Sequence, residues 1–239
     1  MIRRLLFDIE TSPCTGWFWR PSYNTQITYN QIIEHAKIIC ISYKWNDQDK
    51  VYSLTWDSKQ CDKKMLKDFI KVANQADELV GHNSDKFDIK WIRTRCMYHN
   101  IDMFPNYKSI DTLKYFRGNA LQPSNKLNDI GDYFKLGHKV ENEKDLWQKV
   151  CFKNNRQALK RMVTYCEGDV LLLEKVYNKI KPYSKPTIHL TGIKSDCPEC
   201  GSDDVMLKGF YYTASGTKKQ RCKCNICNKK YLYTPSKKK

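Results

Sequence analysis

Three observations predict an α/β protein: a mixed sheet with helices packed on it, then a small β module. Short β-branched and aromatic runs come first and then alternate with helical apolar spacings. Hydrophobic residues make up 41% of the 239 residues and aromatics 13%, enough for one sizeable core and a small accessory module. Five of the eleven cysteines fall between Cys197 and Cys227, which sets the end of the chain apart.

The elements follow in order. Residues 2–9 are a short apolar run, as in a buried strand. Residues 37–45 (KIICISYKW) favour a strand, and residues 51–56 follow after Asn46-Asp47-Gln48-Asp49, which predicts a hairpin. Over 62–75, Met65, Leu66, Phe69, Ile70 and Ala73 keep helical spacing. Residues 78–82 form another short strand, and helical spacing resumes over 87–98 through Trp91 and Ile92. The strongest helix is 157–180, where Leu159, Met162, Val163, Cys166, Val170, Leu173, Val176, Tyr177 and Ile180 recur at three and four.

Pro182 and Pro186 bar a helix and favour an extended linker. The expected domains are therefore 1–182, a linker over 183–195, and 196–239. The chain carries 42 Lys and Arg against 26 Asp and Glu, a net charge of +16 that attracts polyanions. Nucleic acid is the leading partner class; charge kept for solubility is the alternative. No apolar run reaches the roughly 18 residues of a membrane span. The N-terminal apolar stretch is interrupted by Asp8 and Glu10, unlike a secretory signal, so a cytoplasmic protein with reduced thiols is expected.

Asp8 and Glu10 lie two apart on a predicted strand, so their carboxylates share a face. Two such charges about 4 Å apart repel by roughly 4 kcal/mol at an effective dielectric of about 20. Solvent, a basic partner, a shared proton or a divalent cation must offset that. In Gly81-His82-Asn83-Ser84-Asp85-Lys86-Phe87-Asp88 a strand ends, Asn83 or Ser84 is placed to cap the next helix, and Asp88 enters its first turns. Asp88 there either serves a site or complements the helix dipole. In the long helix Tyr165 and Asp169 are four apart on one face.

Taken in this order, the motifs resemble the DEDD superfamily of 3′→5′ exonucleases, which includes the proofreading domains of DNA polymerases. Its D-x-E matches LLFDIET, its N-x-x-x-F-D matches residues 83–88, and its Y-x-x-x-D matches Tyr165 and Asp169. The other subclass reads H-x-x-x-x-D, but position 164 is Thr, so the sequence resembles the tyrosine subclass. The resemblance spans about residues 1–180, and the second motif most resembles family B polymerases. It implies a ribonuclease H-like fold; no polymerase domain fits in the remaining length, so a stand-alone enzyme is expected. The segments LGHKV, DLW and MVTYCEGDVLLLEKVY also resemble small bacteriophage exonucleases.

The resemblance implies two divalent ions, Mg²⁺ or Mn²⁺, on Asp8, Glu10, Asp88 and Asp169. Asp8 bridges both; Glu10 and Asp169 serve the ion that holds the attacking water, and Asp88 the ion on the leaving-group side. Tyr165 orients that water. Thr11, Asn83 and Phe87 are assigned to positioning the 3′-terminal nucleotide; capping for Asn83 and core packing for Phe87 are the alternatives. Asp85 and Asp111 rank below Asp88, and His82 is expected to be structural.

Cys197 and Cys200, with Cys224 and Cys227, form two C-x-x-C pairs with a 23-residue spacer, the pattern of a structural Zn²⁺ site in a zinc ribbon. Cys222 is the rival of Cys224. From Pro186 on, 11 basic residues face 4 acidic ones, a net +7 that one Zn²⁺ on four thiolates lowers to +5. Lys208, Lys218, Lys219, Arg221, Lys223, Lys229 and Lys230 surround Phe210, Tyr211, Tyr212, Tyr231 and Tyr233. That composition suits single-strand binding; a solvated basic face over a small aromatic core is the alternative.

The expected function is a metal-dependent 3′→5′ exonuclease releasing mononucleotides, with single-stranded DNA favoured and RNA as the alternative substrate. By resemblance it would act in phage or bacterial DNA replication, repair or degradation, with replication or repair proteins as possible partners. A structure-specific endonuclease on the same fold and a non-catalytic nucleic-acid-binding zinc-ribbon protein are the competing classes.

Overall fold

The computed structural model describes residues 2–20, 25–138, 143 and 145–235. Residues 139–140 of the LGHKV segment and the terminal lysines 237–239 lie outside them. The chain divides into two units, Arg4–Val176 and Tyr177–Lys239, the latter together with Met1–Arg3.

The first unit begins with β1 (Arg4–Thr11), a short β2 (Thr15–Gly16), β3 (Ile32–Glu34), β4 (Ile38–Trp45) and β5 (Val51–Thr55). Then come α1 (Lys63–Ala73), β6 (Glu78–Gly81), α2 (Asp88–His99), β7 (Ser109–Asp111), α3 (Thr112–Asn119), α4 (Leu127–Tyr133), α5 (Leu146–Cys151) and α6 (Arg156–Ile180). The main sheet has the order β5-β4-β1-β6-β7. β4 is antiparallel to both β1 and β5, whereas β1–β6 and β6–β7 are parallel, so the sheet is mixed as the sequence predicts.

The sheet is covered on both faces. Leu5, Phe7 and Ile9 of β1 pack with Ile41 and Tyr43 against Met65, Leu66 and Phe69 of α1 and Ile89 and Ile92 of α2. On the other face Ile39, Cys40 and Trp56 meet Leu146 and Val150 of α5 and Ala158, Met162 and Cys166 of α6. A central strand buried on both sides needs an almost unbroken apolar run, which β1 supplies until Asp8. Two polar ties set α6 on the sheet: Lys44 Nζ meets Glu174 at 2.5 Å, and Ser53 Oγ donates to Glu167 at 2.7 Å. Glu167 and Glu174 are two helical turns apart, hence on one side of α6.

The seven elements read from the first part of the sequence are present, each within two residues of its expected ends. β2, β3, β7, α3, α4 and α5 carry no sequence signal of their own, because two to eight residues are too few to establish a period.

In the second unit β8 (Val205–Tyr212), β9 (Lys218–Cys224) and β10 (Lys230–Tyr233) form an antiparallel sheet ordered β10-β9-β8. Its small core is Cys197, Cys222, Cys224 and Tyr231, with Cys200, Val205 and Tyr233 against it.

Candidate active site

β1 carries Asp8 and Glu10 to its C-terminal end, where burial falls from complete to partial. Their even-numbered face is the α6 side. Cys166 Sγ donates to the Asp8 carbonyl at 3.4 Å and lies 3.6 Å from Asp8 Oδ2. Asp169, one turn after Tyr165 and buried, completes the group: Asp8, Glu10 and Asp169 offer carboxylate oxygens all within 4.8 Å of one another.

Asp88 reaches the same strand from the other layer. It opens α2, is buried, and accepts from the backbone N–H of Ile9 at 3.2 Å. It stands outside the three-carboxylate group. Burial pushes its carboxyl up to about 7; its own N–H and that of Ile9 pull down, and the charge of Asp111 adds to the rise. A buried acid in that condition gains most from a nearby cation. Three crowded carboxylates and a fourth behind them are a hard-oxygen donor set, which fits a divalent ion such as Mg²⁺ or Mn²⁺.

The turn between β6 and α2 sets Asp88. Gly81 ends β6 where a Cβ would lie 2.4 Å from that of Ser84, so only glycine fits. Asn83 follows in the left-handed region at φ 64. Its carbonyl accepts from Lys86 N and Phe87 N, and the helix begins only at Asp88. Asn83 and Ser84 are therefore not its caps: the N-cap position is Phe87, with no side-chain capping bond. The chain makes a backbone turn first, so the cap position falls at Phe87, three residues after Ser84 and four after Asn83.

The rival acids have structural partners. Asp111 accepts from the backbone N–H groups of Asn83, Asp85, Leu113 and Lys114, so it braces the turn and caps α3. Asp85 accepts from Ser109 Oγ at 2.5 Å. His82 sits between Thr112 Oγ1 at 2.8 Å and the Asn125 carbonyl at 3.0 Å, a structural histidine as expected. Since a carbonyl only accepts, Nε2 carries the proton. Phe87 is 39% exposed, with its ring edge-on to Trp91 at 6.4 Å, so core packing does not account for it.

Two neighbours of the site are not among the residues the motifs assign to it. Trp147 donates from Nε1 to the Thr11 carbonyl at 3.1 Å, and its ring lies edge-on to Tyr165 at 6.3 Å. It thereby ties α5 to the strand end and walls the tyrosine. Cys166, between the two motif residues of α6, lies under Asp8. No motif spacing marks either residue.

A third cluster, Cys61, Asp62 and His99, is no comparable cation site. Arg95 already holds both Asp62 oxygens, at 2.7 and 2.9 Å.

The four ribbon cysteines converge. Cys197 and Cys227 sulfurs are 3.4 Å apart, and those of Cys200 and Cys224 3.7 Å. A tetrahedron with Zn–S bonds of about 2.3 Å puts its sulfurs about 3.8 Å apart. Burial pushes the Cys224 thiol up, but the N–H groups of Cys227 and Ile226 outweigh it and lower it overall. Those are the donors a thiolate needs. Cys222 lies outside the cluster, buried in the same small core as Tyr231, whose hydroxyl donates to the Ser195 carbonyl.

A five-stranded mixed sheet covered by helices on both faces, with acids at the end of its central strand, defines a ribonuclease H-like protein. The RNase H superfamily (RNase_H_2) matches residues 32–181, and the chain belongs to it. That match takes in Asp88, Tyr165 and Asp169 and begins after Asp8 and Glu10. Among solved structures, the family B DNA polymerase of the hyperthermophilic archaeon Pyrobaculum calidifontis is similar, with a TM-score of 0.56 and 16% identity over 77% of this chain. The aligned part is 25% of the polymerase chain, so the likeness is one of fold over about a quarter of that protein. No curated protein sequence matches the chain.

Proposed function

We propose that the carboxylate cluster hydrolyses phosphodiester bonds at the 3′ end of nucleic acid, single-stranded DNA above all, releasing nucleoside monophosphates. The observation that carries this is the convergence of Asp8, Glu10 and Asp169 within 4.8 Å at the end of the central strand. Superfamily membership and the net charge of +16 support a nucleic-acid substrate.

Asp8, Glu10, Asp88 and Asp169 would hold two Mg²⁺ or Mn²⁺ ions. Such ions, when bound, activate water near neutral pH and neutralise charge on a phosphoryl group. By the resemblance, Asp8 would serve both ions, Glu10 and Asp169 one of them, and Asp88, which accepts from Ile9 N–H beside Asp8, the other. The Tyr165 hydroxyl orients the attacking water; with an ordinary pKa of about 10 a tyrosine is a poor base at neutral pH. Phe87 offers an exposed ring for the terminal base; Asn83 lies four residues before it, and Thr11 directly follows Glu10. Cys197, Cys200, Cys224 and Cys227 would hold one structural Zn²⁺.

The test uses 5′-labelled DNA and RNA, linear and circular, with Mg²⁺, with Mn²⁺ and without either. A descending ladder from linear DNA, absent without divalent ion and in Asp8→Ala and Asp169→Ala proteins, is the expected result. Cleavage of circles makes the protein an endonuclease, and a ladder unchanged in both variants removes the carboxylates from the chemistry.

A further inference from the structure

The small sheet of the second unit has two unlike faces. Along β9, Cys222 and Cys224 point into the cysteine core. Strand side chains alternate, so Lys219, Arg221 and Lys223 point the other way, each about 6.8 Å from the next. Cross-strand neighbours share a face: Tyr211 stands opposite Lys219, Leu232 opposite Arg221, and Lys230 opposite Lys223. These residues line a groove of about 880 Å³ that lies wholly within this unit.

Three features give the groove its chemistry. Among its described lining residues there is no carboxylate, and none of its cations is in an ion pair among the described residues. Lys223 and Lys230 face each other directly across the strands, which costs stability unless an anion lies between them. The Tyr211 ring is 40% exposed with the Arg221 guanidinium 5.8 Å from it, and Tyr183 on the rim is 77% exposed.

The structure also removes residues that composition alone had grouped with these. Lys229 is buried and donates to the carbonyls of Lys181 and Ser184. Lys218 lies over the Phe210 ring at 3.7 Å, on the opposite face. Tyr231 is part of the core. What remains is a line of cations at a spacing of the same order as successive phosphates in an extended single strand, bordered by open aromatic faces. That combination recognises a linear polyanion carrying flat rings.

We propose that this groove is a second nucleic-acid site, which takes a single strand with Lys219, Arg221 and Lys223 on its phosphates and Tyr211 against a base. It does not depend on the catalytic reading, because it concerns binding alone.

The experiment measures binding of fluorescein-labelled dT20 and U20 to the full-length Asp8→Asn protein by anisotropy, without divalent ions and across a salt series. One protein adds Lys219→Ala, Arg221→Ala and Lys223→Ala; a control of equal charge adds Lys63→Ala, Lys64→Ala and Lys67→Ala on exposed positions around the start of α1. Bound zinc per chain, equal to the parent's, certifies that the ribbon is folded. The groove variant is expected to bind at least tenfold more weakly, with a log–log salt slope shallower by about 2, since each single-strand phosphate contact contributes about 0.7. Tyr211→Ala is expected to weaken binding at least fivefold. Equal losses in the groove variant and the control, or no loss in the groove variant, overturn the proposal.

Discussion

At the residue scale, the site is a set of like charges held together against their own repulsion. Roughly 4 kcal/mol per pair at about 4 Å sets the scale, reduced where water reaches Asp8 and Glu10. Asp8→Asn removes one charge, so without added divalent ion this variant should melt a few degrees above the parent while cleaving nothing. Thermal melts with Mg²⁺ omitted check this; a variant less stable than the parent would mean that the carboxylates do not repel.

Asp62 is the opposite case. Burial pushes its carboxyl up, but hydrogen bonds from Arg95 and His99 outweigh that and lower it overall. A depressed folded value gives stability that is present above the unfolded pKa of about 3.9 and lost as pH falls through the folded value. Arg95→Ala leaves that buried charge to His99 and the Ile38 N–H, at a cost of up to about 3–5 kcal/mol. Urea unfolding should show the full loss above about pH 5 and a shrinking loss toward about pH 3, as Asp62 protonates. A loss independent of pH would assign Arg95 a packing role alone.

At the scale of elements, α6 matters most, because its register on the sheet decides where Asp169 lies. The Lys44–Glu174 and Ser53–Glu167 ties fix that register from one side. Lys44→Met leaves Glu174 with part of its solvent contact, so the loss should fall at or below the low end of about 3–5 kcal/mol. Adding Glu174→Leu should restore most of it, and a double-mutant cycle on urea-unfolding free energies measures the coupling. Strict additivity would show that the pair does not hold the helix.

The same elements explain what was legible in the sequence. α6 and the central strands are long and strongly patterned, so their existence, their faces and the acids on them follow from spacing. α2 is weakly patterned because Arg95 and Asp88 face inward, the one to pair with Asp62 and the other to reach Ile9. The turn before it was misread, since Asn83 uses its backbone in a left-handed conformation rather than its side chain as a cap. Trp147 and Cys166 join the site only through contacts 136 and 158 residues apart along the chain, which no local pattern carries.

At the scale of the whole chain, the two units should respond differently to the loss of metal. The first has an apolar cluster on each face of its sheet and should fold without metal. The second rests on four buried residues, three of them cysteines, with three partners packed against them. So small a core cannot offset chain entropy unaided, and a structural zinc site typically contributes about 10–16 kcal/mol apparent. A zinc-selective chelator should therefore abolish the ordered ribbon and leave the body folded. Among the described residues every α-helix begins in the first unit, so helical circular dichroism at 222 nm should stay nearly constant. Amide hydrogen exchange should rise over residues 197–233 and not in the first unit. The groove disappears with the ribbon, so the same treatment should weaken binding of dT20 while leaving Mg²⁺-dependent cleavage of short oligonucleotides close to its starting rate. Exchange that rises equally through β1 and α6 would show that the ribbon's metal supports the whole chain, and would remove the basis for treating the units as separately stable.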